Sequence, residues 1–340
     1  MLYTKTVRKK IIYIVAGLCI LAGILLYSTG QWRKIYLFIQ HTYFLMHLSV
    51  PSTAGSSIET RYFPAAHLGN KMRTLRVYLP PHYTDDENRR YPVLYLLHGD
   101  PGDQDDWLIN GHIQQTLDSM IVNKQLPPLI VVFPDGQGTT ILDGQYLDSE
   151  SQNQFLESYL TTDVIGYIDS TYRTNIDRAY RAIGGISSGG YGAVNSAVHH
   201  SELFSVVLSQ SGYFEPLGST GQKLLQNNSD LIAYNSPPKF IEAHSIDQPL
   251  NVYLQVGQGD TEYYHTQTKQ LYDALQEKNI PASIDVVPGG HGWGTWSVSI
   301  QNALMYLASK WQYAYEPAPK PSPLPAAAKP TGTPNTGVAK

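Results

Sequence analysis

A serine flanked by two glycines is the feature of this sequence that most directly suggests chemistry. The run Gly185-Ile186-Ser187-Ser188-Gly189 matches G-x-S-x-G between a predicted strand and a predicted helix, the setting of a nucleophilic serine in a tight turn. Glycines two residues before and after it leave room for neighbouring backbone, and the turn aims the hydroxyl at the N–H groups of the helix start. We predict Ser187 as the nucleophile and rank the off-register Ser188 far lower. A glycine-rich turn that binds nothing, or binds phosphate, is the alternative.

A serine nucleophile needs a base, and His291 is the best candidate among the eleven histidines. It lies in the glycine-rich loop 288–293, between the last predicted strand and the last predicted helix. In folds that carry the nucleophile in such a strand-to-helix turn, the chain order is serine, acid, histidine, and His291 fits that order. The other histidines considered are placed on predicted helices or lack a strand-end setting: His199, His200, His244 and His265.

The acid that orients the histidine is expected after the strand predicted at 250–256. The loop that follows this strand contains two carboxylates, Asp260 and Glu262. We prefer Asp260 because it lies on the loop, whereas Glu262 begins a predicted helix, where the dipole favours an acid in any case. Asp260 would hold the imidazole tautomer and stabilise the imidazolium. A helix N-cap is the alternative role for Asp260, and Glu262 is the alternative acid.

The run His98-Gly99-Asp100-Pro101-Gly102 closes an apolar strand well upstream of the nucleophile. Backbone N–H groups from such a loop, and from the residue after the nucleophile, stabilise the oxyanion in acyl transfer. We therefore predict the N–H groups of Asp100 and Ser188 as the oxyanion donors. His98 is expected to pack and orient the loop. An ordinary Asp-Pro-Gly turn is the alternative.

Apolar runs of strand length alternate with helical patterns along the body of the chain. Strands are predicted at 72–80, 92–98, 129–134, 181–187, 204–210, 250–256 and 282–287, and helices at 107–123, 153–173, 188–200, 261–279 and 293–311. Three of the strand runs are apolar nearly throughout, as expected where helices cover both faces. The alternation predicts an α/β fold with a mainly parallel central sheet flanked by helices. Ligands of such sheets bind beyond the carboxyl ends of the strands.

Composition and charge exclude several classes of function. Hydrophobic content of 42% and charged content of 15% are typical of a globular protein. Residues 1–40 contain six basic side chains and no acid, so the rest of the chain holds 18 basic and 28 acidic side chains. Such an acidic body has no electrostatic footprint for nucleic acid. The single cysteine, Cys19, lies in an N-terminal apolar run, which excludes disulfides, cysteine-ligated zinc and thiol catalysis from the globular part.

The N-terminal segment, residues 1–34, is expected to be a cytoplasmic basic tip followed by a transmembrane anchor. Residues 11–28 form an uncharged apolar run of about 18 residues, near the lower limit for crossing a bilayer. The basic cluster before this run favours an N-terminus in the cytoplasm. We expect a single-pass membrane protein with an extracytoplasmic catalytic domain. A protein secreted after signal cleavage is the alternative.

Composition also divides the remainder of the chain. Residues 35–57 are expected to be a juxtamembrane segment and linker, and residues 58–315 a single catalytic domain. Residues 316–340 are rich in proline and alanine without apolar periodicity, so we predict a disordered tail.

Five spaced blocks stand out along the body of the chain: LRVYLPPHY, YPVLYLLHGDPGDQDDW, VVFPDG, GGISSGGYGA and PGGHGWGTW. Together they resemble the putative-esterase family of α/β-hydrolases. The family includes S-formylglutathione hydrolase, feruloyl and acetyl-xylan esterases, enterochelin esterases and the mycolyltransferases, and the resemblance covers about residues 58–312. It implies an α/β-hydrolase fold, a triad of Ser187, Asp260 and His291, and an oxyanion donor from the HGDPG loop. Ser188 stands where the family often has Met, and Gly292 where it often has Asp, which bears on the pocket and removes no catalytic group.

The expected function is hydrolysis of a carboxylic ester through an acyl-enzyme, without a cofactor or metal. One alternative is acyl transfer onto a cell-envelope glycan or lipid, and another is a non-catalytic, membrane-tethered binding protein on a hydrolase scaffold. Expected partners are a small-molecule or glycan-linked ester and, through the N-terminal helix, the membrane. Trp107, Trp293 and Trp296 are expected mostly in the core, with a platform for sugars or aryl esters as the alternative.

Overall fold

The structure is a computed structural model that describes residues 54–311. The predicted transmembrane anchor, nearly all of the juxtamembrane segment and the predicted C-terminal tail lie outside the described residues. Between residues 54 and 311, no helix combines the length and apolar character needed to cross a bilayer.

Ten strands are present between residues 54 and 311. They are β1 Ser57–Ala65, β2 Lys71–Leu79, β3 Val93–Leu97, β4 Ile130–Pro134, β5 Asp148–Ser149, β6 Gln154–Phe155, β7 Arg181–Ile186, β8 Val206–Gln210, β9 Asn251–Gly257 and β10 Ala282–Val287. Eight of them form a central sheet in the order β1-β2-β4-β3-β7-β8-β9-β10, and β5 pairs with β6 separately. β2 is antiparallel to both of its neighbours, and every other pair in the sheet is parallel. The predicted mainly parallel sheet is confirmed.

The edge strand β1 was not predicted from the sequence. It begins at Ser57, inside the predicted linker, and pairs with β2 along its whole length. Most of its residues are exposed or half-buried because it lies at the edge of the sheet. Its sequence, SIETRYFPA, therefore lacks the continuous apolar run by which the inner strands were recognised.

Helices cover both faces of the sheet. They are α1 Asp106–Ile109, α2 Ile113–Val122, α3 Leu156–Ser158, α4 Ile165–Thr171, α5 Ser188–His199, α6 Gly218–Leu224, α7 Ser229–Tyr234, α8 Pro237–Ala243, α9 Glu262–Glu277 and α10 Trp293–Lys310, with a π-helical segment Tyr159–Val164 between α3 and α4. One face packs against α1, α2 and α10. The other packs against the helical segment from α3 to α4, α5, α8 and α9.

Side chains of the inner strands alternate between these two cores. In β3, Val93, Tyr95 and Leu97 belong to the core beneath α5 and α9. Leu94 and Leu96 belong to the core beneath α2 and α10. All five are buried, and this burial on both faces explains the uninterrupted apolar run of this strand.

Two regions differ from the predicted helices. The helix predicted at 107–123 is interrupted at Gly111 and His112, where His112 adopts a left-handed φ of 47°. A side-chain carbon at Gly111 would lie 2.6 Å from the Trp107 carbonyl oxygen, so this turn has room only for glycine. The helices α6 to α8 were not predicted, because each is only six or seven residues long and too short for a periodic apolar pattern.

Candidate active site

Ser187 occupies a strained turn between β7 and α5. Its φ of 49° and ψ of −117° lie outside the conformations that a serine favours. A side-chain carbon at Gly185 would lie 2.6 Å from the Gly189 carbonyl oxygen, and one at Gly189 would lie 2.7 Å from the Leu97 carbonyl oxygen. Both glycines are therefore required by close backbone approach, as predicted from the motif.

The structure brings the three predicted catalytic side chains into contact. Ser187 Oγ lies 3.0 Å from His291 Nε2, and His291 Nδ1 lies 3.2 Å from Asp260 Oδ1. They reach this edge from the loops that follow β7, β9 and β10, at the carboxyl ends of three parallel strands. The arrangement is a hydroxyl, an imidazole and a carboxylate in series, which is the geometry of nucleophilic catalysis by serine.

The acidic position in this series is held by Asp260 and not by Glu262. The Asp260 side chain is fully buried, and its Oδ2 accepts hydrogen bonds from Ser211 Oγ at 2.7 Å and from Gly257 N–H at 2.8 Å. Thr261, not Asp260, occupies the N-cap position of α9. Glu262 is exposed in the first turn of that helix.

Backbone hydrogen bonds join the loop that carries the acid to the loop that carries the base. The Gln258 N–H donates to the Val287 carbonyl at 2.8 Å, and the Gly259 N–H donates to the Gly289 carbonyl at 2.7 Å. Gly289 adopts a φ of 109°, which favours glycine at this turn. These contacts fix the separation between Asp260 and His291 without depending on either side chain.

Two aromatic rings enclose His291. Tyr264 stacks on the imidazole with ring centres 4.2 Å apart, and Trp296 packs edge-on at 4.9 Å. Burial lowers the pKa of His291, and the negative charge of Asp260 and its hydrogen bond to the ring act in the opposite direction. The imidazole is therefore neutral at neutral pH, the state that a general base requires.

The Tyr264 hydroxyl lies near the nucleophile. Burial and the nearby Asp260 charge raise the pKa of Tyr264, against a hydrogen-bonding interaction with Ser187 that lowers it. The phenol consequently stays protonated over the pH range in which a histidine base operates. Its position beside the base and the nucleophile was not predicted, because Tyr264 stands among many tyrosines without a distinguishing motif.

The loop that follows β3 lies against the nucleophile. A side-chain carbon at Gly99 would be 3.5 Å from Ser187 Cβ. His98 is buried, its Nε2 accepts from the Gly136 N–H at 2.9 Å, and its Nδ1 lies 2.7 Å from the Gly99 carbonyl oxygen. Its contacts fix the loop, in agreement with the structural role predicted for it. The Asp100 and Ser188 N–H groups remain the predicted oxyanion donors, with Ser188 the first residue of α5.

A buried acidic segment follows this loop. Asp105 pairs with Arg76 at 2.6 Å, and both side chains are almost completely buried. The Asp105 N–H donates to Asp103 Oδ1 at 2.8 Å. Burial, and to a smaller extent repulsion from Asp105, raises the pKa of Asp103 to about 7.

No group of three or more histidine, cysteine, aspartate or glutamate side chains within 54–311 is arranged to hold a metal ion.

The tryptophans largely have the packing role predicted for them. Trp107 is buried and its indole N–H donates to the Leu97 carbonyl at 2.9 Å. Trp293 packs edge-on against both Trp107 and Trp296, with ring centres 5.2 and 5.6 Å away. Trp296 also contacts the site through His291 and Ser211, a placement that was not predicted from the sequence.

A family model described as Putative esterase matches residues 66–307, well over half of the chain. The chain belongs to this esterase family. An uncharacterized protein of Corynebacterium glutamicum is 27% identical over 252 residues, which are 71% of this chain and 58% of that protein. An acetyl esterase of Caldicellulosiruptor saccharolyticus is 24% identical over 66% of this chain and 85% of its own length. An esterase of Mycobacterium tuberculosis is 27% identical over 64% of this chain and 52% of its own length. The chain therefore spans little more than half of the Corynebacterium and Mycobacterium proteins.

Solved structures share the fold of this chain. A ferulic acid esterase superposes with a TM-score of 0.67 at 25% identity, covering 75% of this chain and 98% of that structure. An S-formylglutathione hydrolase from Agrobacterium tumefaciens superposes with a TM-score of 0.65 at 18% identity, covering 76% and 97%. The predicted α/β-hydrolase fold and the predicted family are both confirmed.

Proposed function

We propose that this esterase-family chain hydrolyses carboxylic esters through Ser187, His291 and Asp260, with an acyl-enzyme intermediate. The contact that carries the proposal is the 3.0 Å approach of Ser187 Oγ to His291 Nε2, because it couples the nucleophile to a base. Membership of the family and relatives named as esterases support the same reaction class. The assembled triad also argues against a purely binding role, which would not require these three groups in contact.

In the first half of the proposed reaction, Ser187 Oγ forms a bond to the ester carbonyl carbon while His291 Nε2 takes the serine proton. The developing imidazolium is stabilised by Asp260, and the oxyanion by the N–H groups of Asp100 and Ser188. The carbon–oxygen bond to the alcohol then breaks. His291 returns its proton to the departing oxygen, which leaves the acyl group on Ser187.

The second half repeats these steps with water. His291 removes a proton from the water as its oxygen attacks the acyl carbon, and the bond to Ser187 breaks as the proton returns to Oγ. The products are a carboxylic acid and free enzyme. The lowered pKa of His291 supports this cycle, since the imidazole must be neutral at the start of each half.

Replacing Ser187 with alanine is the direct test of this function. We expect the purified S187A variant to lose several orders of magnitude of turnover on an activated ester such as p-nitrophenyl acetate, with its fold intact. Wild type should be labelled covalently by a fluorophosphonate, and S187A should not. The exposed Ser170 on α4 offers a matched control, and S170A should retain both activity and labelling. Equal activity in S187A and S170A would reject the proposal.

We propose esters of small or aromatic acids as the substrate class. The support lies in the names of similar proteins, which include an acetyl esterase and a feruloyl esterase fused to a xylanase. A panel of acetyl, feruloyl, long-acyl and thioester substrates distinguishes these acids. Adding a sugar acceptor and analysing the products separates hydrolysis from acyl transfer. A preference for long-acyl or thioester substrates would contradict this assignment.

We further propose, from the apolar run 11–28 and the basic cluster before it, that the catalytic domain is held at a membrane on its extracytoplasmic side. The full chain should sediment with membranes, and its catalytic domain should be digested by a protease added outside the cell. A chain lacking residues 1–34 should be found in the soluble fraction. Recovery of the full chain from the soluble fraction at its complete mass would reject this placement.

A further inference from the structure

Four adjacent strands end at the proposed active site, and the proposed reaction uses residues from only three of them. In sheet order β7, β8, β9 and β10 are followed by Ser187, Ser211, Asp260 and His291. Ser211, which directly follows β8, has no role in the steps described above. It is almost completely buried and lies between the strand of the nucleophile and the strand of the acid.

The hydrogen bonds of Ser211 give its hydroxyl a defined direction. Ser211 Oγ accepts from Trp296 Nε1–H at 3.1 Å and donates to Asp260 Oδ2 at 2.7 Å. An indole nitrogen can only donate, and a serine hydroxyl has one proton. The bond from Trp296 therefore directs that proton to the carboxylate. The Ser211 hydroxyl and the Gly257 N–H, at 2.8 Å, together hold Oδ2 of Asp260, while Oδ1 faces His291.

The backbone of Ser211 indicates that the hydroxyl has a function. Its φ is 48°, a left-handed conformation that costs energy for a residue with a side chain. Its N–H donates to the Gln255 carbonyl at 2.7 Å, which holds the turn in place. Glycine would adopt this φ without strain, and glycine is the next residue of the chain. The turn thus contains a strained serine where glycine would be unstrained, and the hydroxyl of this serine bonds to the Asp260 carboxylate.

We propose that Ser211 is a positioning residue that orients the Asp260 carboxylate toward His291, with Trp296 fixing the Ser211 hydroxyl. Trp296 joins the two sides of this arrangement, since its ring also packs edge-on against His291 at 4.9 Å. The resulting chain of contacts runs from Trp296 through Ser211, Asp260 and His291 to the nucleophile. The inference rests on the proposed serine-esterase function and adds to it a residue that follows β8.

The test compares S211A and S211G with S209A in the purified full chain. Losing a hydrogen bond to a charged group should lower kcat on p-nitrophenyl acetate by about tenfold to hundredfold and leave KM unchanged. S211G relieves the strained φ and S211A does not, so the two should differ in Tm and yet lose kcat to the same extent. Ser209 is a matched control because it is buried on β8 and its hydroxyl has no hydrogen-bond partner within the described residues. S209A should keep wild-type kcat.

A double-variant cycle identifies the group through which Ser211 acts. If Ser211 works through the carboxylate, S211A should lower kcat in wild type but have no further effect in the D260N background. An equal loss in both backgrounds, a kcat that follows Tm, or wild-type kcat in S211A and S211G would each overturn the proposal. The parent function is judged separately, because absent wild-type activity or an active S187A would reject that function before Ser211 is considered.

Discussion

Replacing Asp260 with asparagine tests the electrostatic basis of the proposed site. Asparagine preserves the size of the side chain but removes a charge that is fully buried 3.2 Å from His291 Nδ1. The imidazolium formed during attack would then face a neutral amide. Removing one partner of a buried ion pair costs about 3–5 kcal/mol, which corresponds to about a 10²–10⁴-fold lower kcat.

The same variant makes a prediction about pH. Burial lowers the pKa of His291, and Asp260 opposes that effect. Activity requires the neutral imidazole, so kcat/KM rises as pH increases through the pKa of His291 in the free enzyme. Without the Asp260 charge this pKa falls further, so the acid limb of the profile should move to lower pH.

The assay is hydrolysis of p-nitrophenyl acetate by the purified wild type, D260N and E262Q across a range of pH. Glu262 is the matched control, because it is a neighbouring carboxylate that the structure leaves exposed on α9. E262Q should keep the wild-type rate and profile. Wild-type kcat in D260N, an acid limb displaced to higher pH, or a comparable loss in E262Q would refute the assignment of Asp260.

Two further variants test what stabilises the fold. In G189A the new carbon would lie 2.7 Å from the Leu97 carbonyl oxygen. We therefore expect the free energy of unfolding to fall by about 1–3 kcal/mol and kcat to be reduced. Denaturant unfolding and ester hydrolysis measure these two effects. Wild-type values of both would contradict the steric argument. Burial opposes ionisation of Glu157, but hydrogen bonds from His199 and His200 outweigh it and lower its pKa to about 2. Its stabilising contribution is therefore present above its ordinary pKa of 4.5 and is lost as pH falls towards 2, so E157Q should be less stable at pH 6 and show a weaker loss of stability on acidification. An unchanged unfolding free energy at pH 6 would exclude this contribution.

The residues that the sequence predicted best were those whose chemistry demands a local pattern. Ser187 was recognisable because close backbone approach requires glycines on either side of it. Inner strands were recognisable because burial on both faces requires continuous apolar runs, and their order along the chain then placed Asp260 and His291 at strand ends. The glycines and the apolar runs each lie within a few residues of the feature that they predict.

Features that depend on distant partners were not predictable in this way. The hydroxyl of Ser211 makes its hydrogen bonds with Asp260 and Trp296, which are 49 and 85 residues further along the chain. Nothing in the run around it resembles a motif. The edge strand β1 was missed for a related reason, since an edge strand needs a neighbour for its hydrogen bonds but no apolar face on both sides.

The two serines with a positive φ at the site share one backbone interaction. The Ser187 N–H donates to the Gln210 carbonyl at 2.9 Å, and the Ser211 N–H donates to the Gln255 carbonyl at 2.7 Å. Each bond extends the ladder between parallel strands by one residue beyond the strand end, just where the chain turns to a positive φ. Because β7, β8 and β9 are neighbours, the sheet holds both turns by the same interaction. The backbone geometry at Ser187 and Ser211 therefore depends on the register of the sheet, and a change that shifts this register should disturb both turns together.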